Sequence, residues 1–305
     1  MENIAFGGWA NTARVTNGKI ELIVTGDVGP RVIRLGFVGG ANEFAEYADQ
    51  MGKTDGNEWR IYGGHRLWHA PEHPVRTYFA DNNPVTLTEI NGGLRVTQPI
   101  ESTTGIEKQM DIQIAQGRNH VHVVHRMTNH TLWPLHFASW ALSVMAQDGV
   151  AVLPLPPRGE HPRDLLPANR LIMWPYTDMS DPRWTWGREY ILLRQDRARG
   201  PQKVGATIPD GWIAYANGGR LFVKLFHYEA SGDYPDMGAC VESFTNQDML
   251  EMETLGPNTT IQPGGSVEHI EDWFLFDGVP MPTDDASVKA NVLPRIGEAQ
   301  AALGG

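Results

Sequence analysis

A period of two is the feature that most limits what this chain can fold into. From Val85 to Met127 apolar and polar residues alternate through successive short runs, and each run stops at a turn carrying glycine. Val85-Thr-Leu-Thr-Glu-Ile runs into Asn91-Gly-Gly, and Leu94-Arg-Val-Thr-Gln comes back. Asn-Gly supplies the positive φ angles that a tight hairpin turn demands. The next run places Ile106, Lys108, Met110, Ile112 and Ile114 on one face, as a strand with alternating sides requires. The same pattern returns at residues 19–37, around Asn217-Gly-Gly, and from Val241 through Pro263-Gly264 to Phe276. Only residues 284–296 read as a helix, with Asp284 at the start and Pro294 near the end. Many short strands in succession and one short C-terminal helix predict an all-β antiparallel sandwich, with residues 1–305 as a single domain.

Charge and cysteine usage narrow the function classes. Acids outnumber bases by 36 to 25, which argues against a nucleic-acid surface or an anionic membrane surface as partner. The single cysteine, Cys240, excludes an internal disulfide and reads as a small buried apolar residue. The first residues lack the basic and apolar regions of a secretory signal, and no apolar run reaches membrane-spanning length, so a cytoplasmic protein is expected. There is no glycine-rich phosphate loop and no nucleophile elbow, and no cofactor is expected. His120, His122 and His125 look like metal ligands until the period is applied. His120 and His122 share a face, whereas His125 falls with Val121 and Val123, so a surface pair is expected and no metal site.

Three stretches concentrate side chains that recognise polyhydroxylated ligands. Trp59 to Pro74 contains His65, Arg66, Trp68, His69, Glu72 and His73. Tryptophan offers an apolar face to the C–H face of a sugar ring, and Arg and His offer hydrogen bonds to hydroxyls. Residues 154–188 form a long segment without periodicity, in which Trp174, Tyr176, Trp184 and Trp186 suit a sugar-binding wall. The third stretch carries Tyr234, Asp236, Glu242, Glu251 and Glu253. Glu251 and Glu253 share one strand face, with Leu250 and Met252 on the other. Residues 131–146 read as a central strand buried on both faces, with His136 and Trp140 its polar-capable members, and Arg31 and Arg34 read as surface arginines.

The motifs Gly-Gly-His-Arg-Leu-Trp at 63–68, Thr-Gly-Ile-Glu-Lys at 104–108, Trp-Ala-Leu-Ser-Val-Met at 140–145, Tyr-Pro-Asp at 234–236 and Leu-Glu-Met-Glu-Thr-Leu-Gly-Pro at 250–257 carry a resemblance. Over residues 15–278 the chain resembles a branch of the galactose mutarotase-like superfamily, remote from the aldose 1-epimerases. The resemblance implies an antiparallel β-supersandwich with a sugar cleft. It also implies a glutamate that takes the anomeric hydroxyl proton and a histidine that protonates the ring oxygen. By position the glutamate is Glu242, with Glu251 and Glu253 as alternatives, and the histidine is His65. These two are expected to face one another across the cleft. Arg66, Trp68, His69, His136, Trp174, Tyr176, Trp184, Tyr234 and Asp236 are then the expected substrate-binding residues. Where mutarotases carry a second histidine this chain has Trp140-Ala-Leu, and His136 lies four residues earlier. The expected partner is a mono- or oligosaccharide. Epimerase-like acid/base chemistry is the leading expectation. Glycoside cleavage by paired carboxylates (a hydrolase or polysaccharide lyase) and sugar binding without catalysis are the alternatives.

Overall fold

The alternating segments pair as antiparallel strands throughout. A computed structural model describes residues 1–304 and arranges them in two large sheets. Ile106–Ile114 and His120–Asn129 show the cause plainly: every second residue is buried along both strands, without interruption. His125 accordingly points inward with Val121 and Val123, while His120 and His122 share Asp272 at the surface. At Asn91-Gly-Gly the chain needs its glycines. Gly92 has φ +74°, and a Cβ on Gly93 would lie 1.9 Å from the Ile112 carbonyl oxygen.

The larger sheet runs, in spatial order, Glu2–Phe6, Trp9–Thr16, Ile20–Thr25, Arg31–Phe37, Gly64–Ala70, Leu135–Met145, Leu250–Leu255, Val241–Thr245, Gln202–Ala206 and Leu171–Met173. The second sheet is centred on Arg220–Phe226, Ser266–Asp277 and His120–Asn129. Between them lies one continuous apolar core, to which Leu250, Met252, Val241 and Val204 contribute from the first sheet and Tyr215, Phe222 and Trp273 from the second. Phe44 and Phe222 meet Trp273 edge-on at ring centroid distances of 6.0 and 5.9 Å.

The C-terminal segment closes the outer face of the second sheet. Asp284 and Ser287 form a capping box, a π-helical turn covers Val288–Val292, and Leu293–Leu303 continues as α-helix. Pro294 therefore stands near the start of this last helix and does not end it. A proline lacks the N–H that a new helical turn leaves unbonded anyway. Val288, Val292, Ile296 and Ala299 pack onto Val223, Phe274 and neighbours, and the outer face of the first sheet is the one left open. No helix among the described residues is long and apolar enough to cross a membrane.

Two local expectations do not hold. Arg31 is fully buried. It donates to the carbonyls of Ile61 and Gly63 and pairs with Asp81, because a β-bulge at Ile23/Val24 alters the local pairing and the 61–63 loop turns its carbonyls inward. Residues 154–188 are not wholly irregular either: Leu171–Met173 adds to the edge of the larger sheet and Trp184–Trp186 to the edge of the other.

Candidate functional site

Register across the larger sheet sets the site. Trp140 sits opposite both Trp68 and Leu255, and Leu142 opposite both Arg66 and Glu253. Glu253 in turn faces Glu242, and Glu242 faces Gly205. Two residue pairs along, Glu251 faces Phe244, and Phe244 faces Lys203. Since side chains alternate, Arg66, Trp68, Trp140, Leu142, Glu251, Glu253, Glu242, Phe244 and Lys203 all project from the same outer face. A cavity of about 380 Å³ opens there, walled by Tyr47, Trp59, Tyr78 and Tyr176 from the surrounding loops. A larger groove beside Pro156, Arg158 and Glu160 has Tyr190 as its one aromatic wall and offers little for a ring to stack on.

The charged groups of the floor form two clusters. Arg66 donates through Nη2 to Glu251 at 2.7 Å, with its guanidinium 4.4 Å from the Trp68 ring centroid. Its Nε and Nη1 are buried and have no hydrogen-bond partner. Lys203 lies within 5 Å of the ring centroids of Trp140 and Trp174, at 4.9 and 4.6 Å. Its ammonium is 2.6 Å from Glu242 Oε2 and 3.3 Å from Glu253 Oε2. Trp140 Nε1–H donates to the same Glu253 oxygen at 2.9 Å. The Lys203–Glu242 contact is an ion pair off the hydrogen-bonding line, so neither Glu242 oxygen has an aligned donor. Gly205 makes this packing possible, since a Cβ there would approach the Trp174 ring to 3.2 Å.

These surroundings move the ionisation of the floor. Burial alone lowers the lysine pKa, but Glu253 and Glu242 outweigh it and hold the Lys203 ammonium above its ordinary value. Burial, against the pull of Lys203 and with the push of Glu253, raises the Glu242 carboxyl well above the carboxylate range. Glu253 is raised for the same leading reason. Burial also raises the Tyr176 hydroxyl to about 12, so it stays protonated at neutral pH.

Of the side chains expected at the site, the structure brings together Arg66, Trp68, Glu242, Glu251, Glu253, Trp174 and Tyr176. The others lie elsewhere. His65 and His69 occupy the opposite parity from Arg66 and Trp68, and both point between the sheets. The expected facing of His65 and Glu242 therefore does not occur, because the sheet itself separates them. His136 is exposed and bonds Thr260. Trp184 belongs to the inter-sheet core from the second sheet's edge. Tyr234 is core too, its hydroxyl accepting from the Glu229 N–H at 2.8 Å. Asp236, at φ +49°, lies in a separate depression beside Arg170, close enough to add to the charge felt by Glu242.

His65 instead joins a hydrogen-bonded network sealed between the sheets. Its direction follows from the His269 carbonyl, which can only accept: His125 Nδ1–H donates to it at 2.9 Å. His125 Nε2 then accepts from His65 Nε2–H at 2.7 Å, and His65 Nδ1 accepts from the Ser143 hydroxyl at 2.9 Å. On the far side His269 Nε2–H donates to Thr254, and Thr254 donates to Glu271 at 2.5 Å. Glu271 also accepts from Lys224 at 2.9 Å and from Trp273 Nε1–H at 2.7 Å. His65, His125 and Glu271 are near enough to invite a metal. Two imidazole nitrogens 2.7 Å apart share a proton rather than an ion, since ligands about 2.0 Å from a tetrahedral metal stand over 3 Å from one another.

Sequence reasoning missed Lys203, Tyr47 and Tyr78. The run Gln202-Lys-Val-Gly-Ala is too short to show a period, and Tyr47 and Tyr78 reach the cavity from loops. The parity of 64–70 was available: with Arg66 and Trp68 on one side, His65 and His69 had to lie on the other.

No family model matches the chain, and no curated protein matches it. Solved structures do. A galactose mutarotase-like protein from Lactobacillus casei aligns with a TM-score of 0.59 at 11% identity, over 87% of this chain and 100% of its own. A galactose mutarotase related enzyme from Lactobacillus acidophilus aligns at 0.55 and 8%, covering 89% and 99%. A protein from Synechocystis aligns at 0.57 and 13%, covering 91% and 100%. Identity this low carries the fold and nothing finer.

Proposed function

We propose, for a chain that has the galactose mutarotase-like fold, that the open face of its larger sheet binds a mono- or short oligosaccharide and performs acid/base chemistry on it. One observation carries the reading: a cavity walled by aromatic rings has a charged pair, Arg66 and Glu251, in its floor. Trp59, Tyr78 and Tyr176 supply faces for the C–H side of a sugar ring. Glu251, held by Arg66 and lining the same cavity, is the carboxylate placed to take a hydroxyl proton.

A tryptophan-fluorescence titration with neutral, acidic and amino sugars tests binding. Trp68→Ala is expected to weaken the binding sugar by about tenfold, for some 1.4 kcal/mol of lost contact. Arg66→Lys keeps the charge but loses the fork, and is expected to weaken it as well. A panel in which no sugar perturbs the spectrum, with none detected by calorimetry, overturns the reading. For the chemistry, exchange between anomers followed by NMR is expected to slow by about two to four orders of magnitude in Glu251→Gln.

A second reading, binding without chemistry, has its own support: no histidine is among the residues lining the cavity. Sugar binding with no accelerated anomer exchange or glycoside cleavage would select it.

A further inference from the structure

The pair Glu242–Glu253 poses a charge problem that the sugar-site reading leaves unsolved. Two carboxylates face each other across neighbouring strands, both with zero exposure, and a single ammonium serves them. The other floor cation, Arg66, is engaged by Glu251. Asp236 adds further negative charge from the preceding turn, and Tyr176 on the cavity side is neutral. With both glutamates ionised, one negative charge would stand uncompensated in a surround of Trp140, Trp174 and Leu142. A buried, unpaired carboxylate costs several kcal/mol, and proteins relieve it by taking up a proton.

We propose that Glu242 is a carboxylic acid at neutral pH, so that the floor consists of one neutral acid, one ionised Glu253 and the Lys203 ammonium between them. The choice of Glu242 follows from donors. Each glutamate has an Oε1 without a partner, and Lys203 stands nearer to Glu242 (2.6 Å) than to Glu253 (3.3 Å), but Glu253 Oε2 receives both Trp140 Nε1–H and an aligned Lys203 N–H, whereas Glu242 has no aligned donor. The oxygen pair less stabilised as an anion keeps the proton. Burial acts in the same direction.

This deepens the proposed chemistry, on which its catalytic use alone depends. In a cavity with no histidine in its lining, the acid half of an acid/base pair resides in Glu242, acting through Lys203, which lines the cavity. For sugar-ring opening, Glu251 takes the proton of the anomeric hydroxyl, the bond from that carbon to the ring oxygen breaks, and its electron pair stays on that oxygen. Lys203 gives that oxygen a proton and recovers one from Glu242. Ring closure returns both protons along the same paths. Glu242 is thus a positioning and proton-supplying residue, and Glu251 and Lys203 are the groups that touch the substrate.

The proton is observable without any ligand, by infrared difference spectroscopy of the carboxylic-acid carbonyl band on the full chain at neutral pH. Glu242→Gln keeps the shape of the neutral acid and is expected to lose one such band. Glu253→Gln is expected to lose it too, because Glu242 then has Lys203 to itself and ionises. Lys203→Met is expected to gain one band, since both acids are then left without a cation. Wild-type spectra that lack the band, or a band unchanged in both glutamine variants, overturn the proposal. Because either glutamine variant frees Lys203 for the remaining acid, the side-chain carboxyl carbon shifts of labelled wild-type protein assign the proton: Glu242 at the ionised shift at neutral pH sinks the proposal, whether or not the variants fold. Sugar binding with no such band defeats this inference and leaves the function standing. The band without any sugar binding does the reverse.

Discussion

Glu271→Ala is expected to lower the unfolding free energy by about 3–5 kcal/mol, the usual result of removing one partner from a buried ion pair. Glu271 and Lys224 both have zero exposure and lie 2.9 Å apart. Burial pulls the lysine below its ordinary pKa, and Glu271 opposes this. Burial would raise the Glu271 carboxyl, but Lys224, His125 and His269 together bring it down to about 2. Without Glu271, Lys224 keeps only the carbonyl oxygens of Met252 and Ala141, at 3.2 and 3.5 Å, and the Thr254 hydroxyl and Trp273 indole lose their acceptor. Those losses fall where the two sheets meet, so the whole sandwich feels them. Chemical denaturation measures the effect. Glu271→Gln with Lys224→Met removes both charges while leaving an acceptor for Thr254 and Trp273, and is expected to be more stable than Glu271→Ala. A Glu271→Ala protein within about 1 kcal/mol of wild type would mean that the pair is not closed from water, contrary to its zero exposure.

Acid is expected to unfold this protein from below pH about 6.5, well before its ordinary carboxylates protonate. Burial is the first cause of the low pKa of His65, His125, His69 and His269, the last two falling to about 3. In the folded state these histidines stay neutral, and in the unfolded chain they take up protons near the ordinary imidazole value of 6.5. The unfolded state therefore binds more protons between those limits. The histidines contribute stability that is present above 6.5 and is lost as pH falls towards their folded pKa. At pH 4.5 the loss from His269 alone is on the order of 2–3 kcal/mol, two units at about 1.4 each. Glu271 adds to it from the ordinary glutamate value of 4.5 down to about 2. Glu242 has the opposite sign: its raised pKa contributes stability below 4.5 that is lost as pH rises through its folded value. Urea midpoints between pH 4 and 8 are expected to fall steeply on the acid side, and less steeply in His269→Gln. A flat profile over that range would show that these imidazoles are reached by solvent.

Whatever depends on neighbours along the chain can be read from the order of residues. Alternation from Ile106 to Ile114 and from His120 to Asn129, with glycines at residues 92 and 93, dictated antiparallel strands and placed His125 inside. Alternation also put Glu251 and Glu253 on one side of their strand, and the same rule applied to 64–70 separates Arg66 and Trp68 from His65 and His69. Which of those two sides faces the cavity is not a local property, because both sides of Gly64–Ala70 are buried and both carry polar groups. The packing of one sheet on the other settles it. Packing the second sheet against one face turned His65 towards His125 and Glu271, and left the other face to Arg66, Glu251 and Lys203. Lys203 stands 39 residues from Glu242 and 50 from Glu253 in the chain, and strand pairing alone sets one ammonium between two carboxylates. The charge of the floor is therefore a fact of the sheet, since Coulombic balance depends on distances in space that no spacing along the chain records.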